Sequence, residues 1–137
     1  MAKTLTPQEA LIYVMVTTAA VDGVITDAEL RRIGNIVAQL PVFADFDVEQ
    51  LVPTAEACGK LLSGKDGLKK ALDAVVKSLT ERMHETAYAL AVEVAAADLK
   101  VQQEELRFLD MLRDTFDLSK LVVAAIERGA RARHRVR

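Results

Sequence analysis

The sequence predicts an all-α fold, a compact bundle of about seven helices, and three observations carry that prediction. Helix-capping patterns precede segments whose apolar residues recur at steps of three and four. No segment shows the apolar–polar alternation typical of a β-strand. A motif near residue 22 also recurs 76 residues later, with a helix predicted before and after each copy. The repeat predicts two related helical hairpins within the bundle.

The first two predicted helices each begin with a capping box. Thr6-Pro7-Gln8-Glu9 supplies a capping Thr, a Pro at the first helical position and a Glu three residues after the cap, so a helix is predicted to about Val21. Asp22-Gly23 is a turn signal. Thr26-Asp27-Ala28-Glu29 then begins a second helix, which Pro41 ends.

Five further helices complete the prediction. The third begins at Asp47, with Pro53 near its first turn, and Ser63 to Gly67 is the clearest loop. Ser78-Leu79-Thr80-Glu81 has the spacing of a capping box for the fifth helix. The predicted spans are residues 47–62, 68–79, 81–97, 103–116 and 119–129.

Composition favours one soluble domain without disulfides. A chain of 137 residues is long enough for its own core, and half of its residues are apolar. The single Cys58 cannot form an internal disulfide, fits a reducing compartment and is expected as a buried apolar residue. The longest apolar stretches are too short or, at Glu93, too interrupted to span a bilayer. No secretory signal is recognised, so a cytoplasmic location is expected.

Charge is divided between an acidic body and a basic end. Residues 1–127 carry all 20 acidic side chains, whereas the last ten residues carry five of the 18 basic ones and no acid. An acidic body argues against nucleic-acid binding. We therefore predict a helical domain over 1–129 and a basic, disordered tail over 130–137. Lysines at 65, 69, 70 and 77 give one helix a positive face that could dock an acidic partner.

The repeated motif carries the chemistry that recurs in the chain. Residues 19–30 align with residues 95–106, and both copies contain Ala-Ala, then Asp, then Glu-Leu at the same positions. Each copy places an Asp at a helix–helix corner and a Glu in the first turn of the next helix. The candidate residues are therefore Asp22 and Glu29 in the first copy, and Asp98 and Glu105 in the second.

Structural roles and cation binding both explain these carboxylates. A capping box requires Glu29 for local reasons, and the helix dipole favours Glu105 in a first turn. Asp22 and Asp98 follow the last turn of a helix, where a negative charge is unfavourable by about 0.3–1 kcal/mol. Turn hydrogen bonds or a bound cation offset that cost. If the corners meet, four carboxyl groups would favour a divalent cation such as Ca²⁺, Mg²⁺ or Mn²⁺.

Other known site patterns fit poorly. An EF-hand register needs oxygen ligands where Ala20 and Ala96 stand, so neither copy is an EF-hand. Glu81 and His84 form one Glu-x-x-His pair, whereas di-iron bundles need two, and Tyr88 stands where a zinc-protease motif needs its second His. His84 is therefore expected on a helix surface. We find no nucleophile–base pair or phosphate-binding loop, and expect no enzyme.

The paired motifs resemble those of the TerB, or tellurite-resistance TerB-like, family. The resemblance covers the layout from about Pro7 to Glu127. It implies an all-helical bacterial cytoplasmic protein linked to tellurite and stress resistance, acting with protein partners that include membrane-associated ones. It also implies metal binding by the four acidic residues of the two copies. Leu99, where the family often has Gly, and Lys100, which can neutralise Asp98, set the second copy apart.

Three functions follow as hypotheses. The first is a TerB-like stress-response module that binds a divalent cation weakly through the acidic corners and acts through partners. The second is a metal-free helical adaptor, which predicts an exposed apolar patch or a dimer. The third, a carboxylate-dependent metal hydrolase, requires a closed pocket with two metal positions.

Overall fold

The computed structural model describes residues 4–20, 23–97 and 103–136, with side chains in the last range from residue 106 onward. Within these residues the chain forms seven α-helices and no β-strand, as predicted. The helices are α1 (Pro7–Ala19), α2 (Asp27–Gln39), α3 (Leu51–Leu62), α4 (Gly67–Ser78), α5 (His84–Ala97), α6 (Gln103–Phe116) and α7 (Lys120–Arg133). Short 3-10 turns cover Pro41–Phe43, Val48–Gln50 and Glu81–Met83. None of the described helices is both long and apolar enough to cross a membrane.

Two helices form the interior of the bundle. In α1, every residue from Ala10 to Thr18 is buried, and half of the residues of α5 are buried. A helix that is apolar on all sides needs neighbours on all sides. Accordingly, α1 packs against α2, α3, α4, α5 and α6, whereas α5 also contacts α7. The hairpins α1–α2 and α5–α6 therefore share one core, and their similarity to each other stays a prediction.

The capping patterns at Thr6 and Thr26 act as predicted. Each Thr hydroxyl accepts a hydrogen bond from the backbone N–H of the Glu three residues later, at 3.1 Å. Each Glu in turn accepts one from the Thr backbone N–H, at 2.9 Å. Both capping boxes are complete, so the starts of α1 and α2 are fixed by local sequence.

Two other helix starts differ from the prediction. Asp47 caps the 3-10 turn Val48–Gln50, and the α-helix begins only at Leu51. Pro53 then lies in the first turn, where the missing N–H is not needed. Ser78 does not cap α5: it ends α4, and its hydroxyl donates to the carbonyl one turn earlier, at 2.8 Å. The 3-10 turn Glu81–Met83 leads into α5 instead.

The carboxyl end of the chain is more helical than predicted. α7 continues past Gly129 to Arg133, so the helix extends into the segment expected as a tail. Ala130 is buried, and both Arg133 and His134 contact Glu93 of α5. The basic composition of this segment predicted a tail. Its contacts were not predictable from local sequence, because their partner Glu93 lies in another helix.

Candidate functional site

Glu29 occupies the position that its local sequence assigns to it. Its Oε1 accepts the Thr26 N–H at 2.9 Å, so one carboxylate oxygen is engaged in the capping box. The residue is half-buried in the first turn of α2. The structural role predicted for Glu29 is therefore present, and it commits only Oε1 of the carboxylate.

The backbone of the first corner requires glycine. Gly23 has φ +87°, in the left-handed region that side chains disfavour, and its N–H donates to the Ala20 carbonyl at 2.8 Å. A Cβ atom on Gly23 would lie 2.3 Å from Ser63 Oγ and 2.8 Å from the Gly59 carbonyl oxygen. Only glycine fits, because the corner packs directly against the last turn of α3.

Gly59 completes this contact from the other side. A Cβ atom on Gly59 would lie 3.0 Å from the Gly23 carbonyl oxygen, so the two glycines allow corner and helix to meet backbone to backbone. Sequence reasoning missed Gly59 and Ser63; the available signal was a glycine within an otherwise regular helix. The carboxyl end of α3 carries the negative pole of its helix dipole, so the neighbourhood of the first corner favours positive charge.

The other predicted ligands fall where the structure gives no side chain. Asp22 and Asp98 lie outside the described residues, as do Leu99 and Lys100. Glu105 lies in the first turn of α6, as predicted, but its side chain is outside the description. Whether the four carboxylates converge therefore stays a prediction. Among the described residues, no three His, Cys, Asp or Glu side chains form a group that could hold a metal.

A polar cluster connects α5, α6 and α7. The Tyr88 hydroxyl donates to Glu127 Oε2 at 2.5 Å, and Arg113 donates to the Tyr88 oxygen at 2.8 Å and to Glu127 at 3.3 Å. Arg113 also pairs with Asp110 at 2.7 Å. Burial and the bond to Glu127 raise the pKa of Tyr88 to about 12, against the opposing effect of Arg113. The phenol therefore stays protonated and bonded.

A second polar cluster lies near the carboxyl end of α5. Glu93 Oε2 accepts from Arg133 at 2.5 Å, and Glu93 Oε1 bonds the His134 ring at 2.8 Å. Burial acts to raise the pKa of Glu93, but the hydrogen bonds and charges of Arg133 and His134 outweigh it and lower the pKa. The sequence indicated this cluster through Glu93, a carboxylate in the middle of an otherwise apolar stretch of α5.

Two residues singled out in the sequence have packing roles. The His84 ring stacks on Phe116 with centroids 4.2 Å apart and an interplanar angle of 16°, so His84 is half-buried instead of lying on the helix surface. Cys58 is fully buried, as predicted, within 3.6 Å of the Thr17 hydroxyl. Burial raises the pKa of the Cys58 thiol to about 12 despite the bond to Thr17.

A shallow cleft of about 460 Å³ separates α6 from α7. Arg113 and Glu127 form part of its wall, together with Lys120, Asp117 and apolar side chains. The charges around it are of both signs, and its best-placed donor and acceptor already bond each other. We therefore interpret the cleft as the boundary between two packed helices.

The described residues therefore form a small helical module of seven helices, in which five helices pack around the interior helices α1 and α5. The profile of one protein family, described as tellurite resistance protein TerB, matches residues 8–132 of the chain. The chain therefore belongs to the TerB family. No curated protein and no solved structure matches it significantly.

Proposed function

We propose that this protein is a non-catalytic, cytoplasmic stress-response module associated with tellurite resistance, which binds a divalent cation at its acidic corners and acts through protein partners. The observation that carries the proposal is the repetition of Asp and Glu at both corners, within a chain that matches the TerB family over residues 8–132. The tellurite-resistance association comes with the family; the cation and the partners are proposed.

The surroundings of the first corner support a cation. Gly23, which follows Asp22 in the chain, packs against the carboxyl end of α3, so the dipole of that helix adds negative potential to the carboxylates. Glu29 uses Oε1 for the cap. Carboxylate and carbonyl oxygens are hard ligands, which suit Ca²⁺, Mg²⁺ or Mn²⁺.

The charge of this site favours an indirect role in tellurite resistance. Tellurium oxyanions are negative, and four carboxylates at the corners would repel them. A module that senses or stores a cation, and whose cation-bound form acts on a partner, does not need to bind the oxyanions itself. It therefore avoids this repulsion. The partners implied by family resemblance are proteins, including membrane-associated ones.

The test is an NMR titration of chelator-treated protein with Ca²⁺, Mg²⁺, Mn²⁺ and Zn²⁺ in turn. We expect saturable changes centred on both corners for at least one hard cation, and their loss in the D22N/D98N variant. An absence of any localised response would contradict the cation site.

A neighbouring carboxylate supplies the matched control. Asp27 is exposed in the first turn of α2, and Gln103 stands at the corresponding position of the second copy. D27N removes the same charge from the same corner and should keep the response. E29Q should weaken it without unfolding α2, because the glutamine oxygen still accepts the Thr26 N–H.

A metal-free adaptor is the second candidate, and exposed apolar side chains favour it. Val48 is 65% exposed and Val52, four residues later, is 45% exposed. Leu121 at the start of α7 is 80% exposed. If the titration gives no cation response while V48D/V52D abolishes capture of a partner, the adaptor is the better account.

A further inference from the structure

α7 buries little apolar surface for its length, in contrast to the interior helices. Only Ala130 of its fourteen residues is buried, and Val123 and Ile126 are half-buried against the core. By contrast, α1 buries nine consecutive residues. The main packing partner of α7 is α5. Apolar burial therefore holds α7 weakly, and its polar contacts carry a larger share of its attachment.

Those polar contacts form two clasps, one near the middle of the helix and one at its carboxyl end. In the first, Glu127 of α7 accepts hydrogen bonds from Tyr88 of α5 and Arg113 of α6. In the second, Arg133 and His134 at the end of α7 bond the two carboxylate oxygens of Glu93 on α5. Each clasp depends on a single carboxylate that bonds two partners at once.

The first clasp also joins the two helices that flank the second motif. α5 ends at Ala97 and α6 begins at Gln103, so Tyr88 and Arg113 lie on the helices that enter and leave that corner. Glu127 bridges them through one oxygen, Oε2. Loss of α7 would remove this bridge and leave the α5–α6 hairpin joined by its own contacts.

We propose that α7 is a releasable strap, which detaches from α5 as a unit while α1 to α6 stay folded, and that the two clasps set how often it opens. Opening uncovers the α7-facing side of α5 and loosens the hairpin around the second corner. The device stands independently of whether that corner binds a cation.

Hydrogen exchange measured by mass spectrometry on the full chain tests the strap. In the unmodified protein, amides of α7 should exchange at least about tenfold faster than those of α1, after correction for intrinsic rates. Equal protection of α7 and α1 would overturn the proposal, because α7 would then open only when the whole chain unfolds.

A matched pair of substitutions tests the second clasp. R133Q removes one of the two partners of Glu93, whereas R131Q removes the same charge two residues earlier, from an exposed side chain that forms no ion pair with described residues. R133Q should accelerate exchange in α7 by about threefold to tenfold, as expected for one charged hydrogen bond with partial exposure, and leave α1 unchanged. Equal effects of R131Q and R133Q would overturn the assignment.

The first clasp has its own pair. E127Q should accelerate exchange both in α7 and in the α5–α6 hairpin, whereas E85Q, at an exposed site on α5, should change neither. Thermal unfolding of each variant serves as a second measurement. If E127Q lowered protection equally in every helix, including α1, its effect would be global and the strap would be refuted.

Discussion

Gly23 is held by two constraints, its own backbone conformation and the backbone of a neighbouring helix. Its positive φ follows from the turn signal Asp22-Gly23 and was predictable from sequence. The approach of Gly59 and Ser63 was not, because they lie about 40 residues away and reach the corner only through packing of α3. The capping role of Glu29 was predictable because its partner Thr26 is three residues away.

Replacing Gly23 with alanine should destabilise the protein strongly. The left-handed conformation alone costs about 1–2 kcal/mol for a side chain, and the Cβ would meet backbone atoms of α3, so we expect a loss of about 2 kcal/mol or more. Gly34 inside α2 is the control, since its Cβ would make only an ordinary 3.4 Å contact. Denaturant unfolding should show G34A unchanged or slightly more stable. A G23A variant as stable as G34A would contradict the described corner.

Cys58 should be inert in the folded protein. With a pKa of about 12 against an ordinary 9.0, its thiolate fraction at pH 8 is reduced by about a thousandfold, before steric protection is counted. An aromatic disulfide reagent should therefore react with Cys58 only at the rate at which the chain opens. Stopped-flow labelling with and without denaturant measures this, and rapid labelling of the folded protein would show that the thiol is accessible.

At the scale of elements, local sequence determined the starts of some helices and not of others. α1, α2 and α6 begin where predicted, the first two because their capping boxes are self-contained. α5 begins later than predicted because Ser78 bonds back into α4 instead of capping forward. Competition of this kind between two local hydrogen bonds is decided by the packing of both helices.

The Glu93 clasp should make α7 sensitive to acid. The folded pKa of Glu93 is lowered, so its stabilisation is present above the unfolded value of about 4.5 and is lost as the pH falls through the lowered folded value. In E93Q this contribution, about 1 kcal/mol at neutral pH, should be absent, and its part of the pH dependence below 4.5 should disappear. Helix-resolved hydrogen exchange between pH 3 and 7 measures it. An identical pH profile for wild type and E93Q would exclude the clasp.

At the scale of the whole molecule, the fold class was more predictable from sequence than the way in which α7 docks onto the other helices. The helix-capping patterns, the apolar periodicity and the lack of strand alternation were enough to predict an all-α bundle of about seven helices. The docking of α7 was not predictable, because it depends on Glu93, Tyr88 and Arg113 of other helices. The four candidate carboxylates follow from the repeat, but sequence cannot specify whether two corners 76 residues apart meet.

In cells, we expect resistance to tellurite to depend on the acidic residues of the two corners, and not on a change in protein stability. A bacterial strain that depends on this protein for growth on tellurite should lose resistance with D22N/D98N and retain it with D27N, at equal protein levels. Aspartate and asparagine have nearly the same size, so the expected loss of resistance would come from loss of the bound cation. Full resistance with D22N/D98N would show that the role in tellurite resistance does not depend on the acidic corners.

Paramagnetic broadening by Mn²⁺ tests the central claim most directly. In chelator-treated protein labelled with ¹⁵N, substoichiometric Mn²⁺ should broaden the amides around Gly23 and around Lys100 with the same concentration dependence, as one shared ion requires. An excess of Mg²⁺ or Ca²⁺ should reverse the effect, and D22N/D98N should abolish it. Broadening at one corner alone would contradict a shared site, and broadening scattered over exposed carboxylates would contradict a cation site altogether.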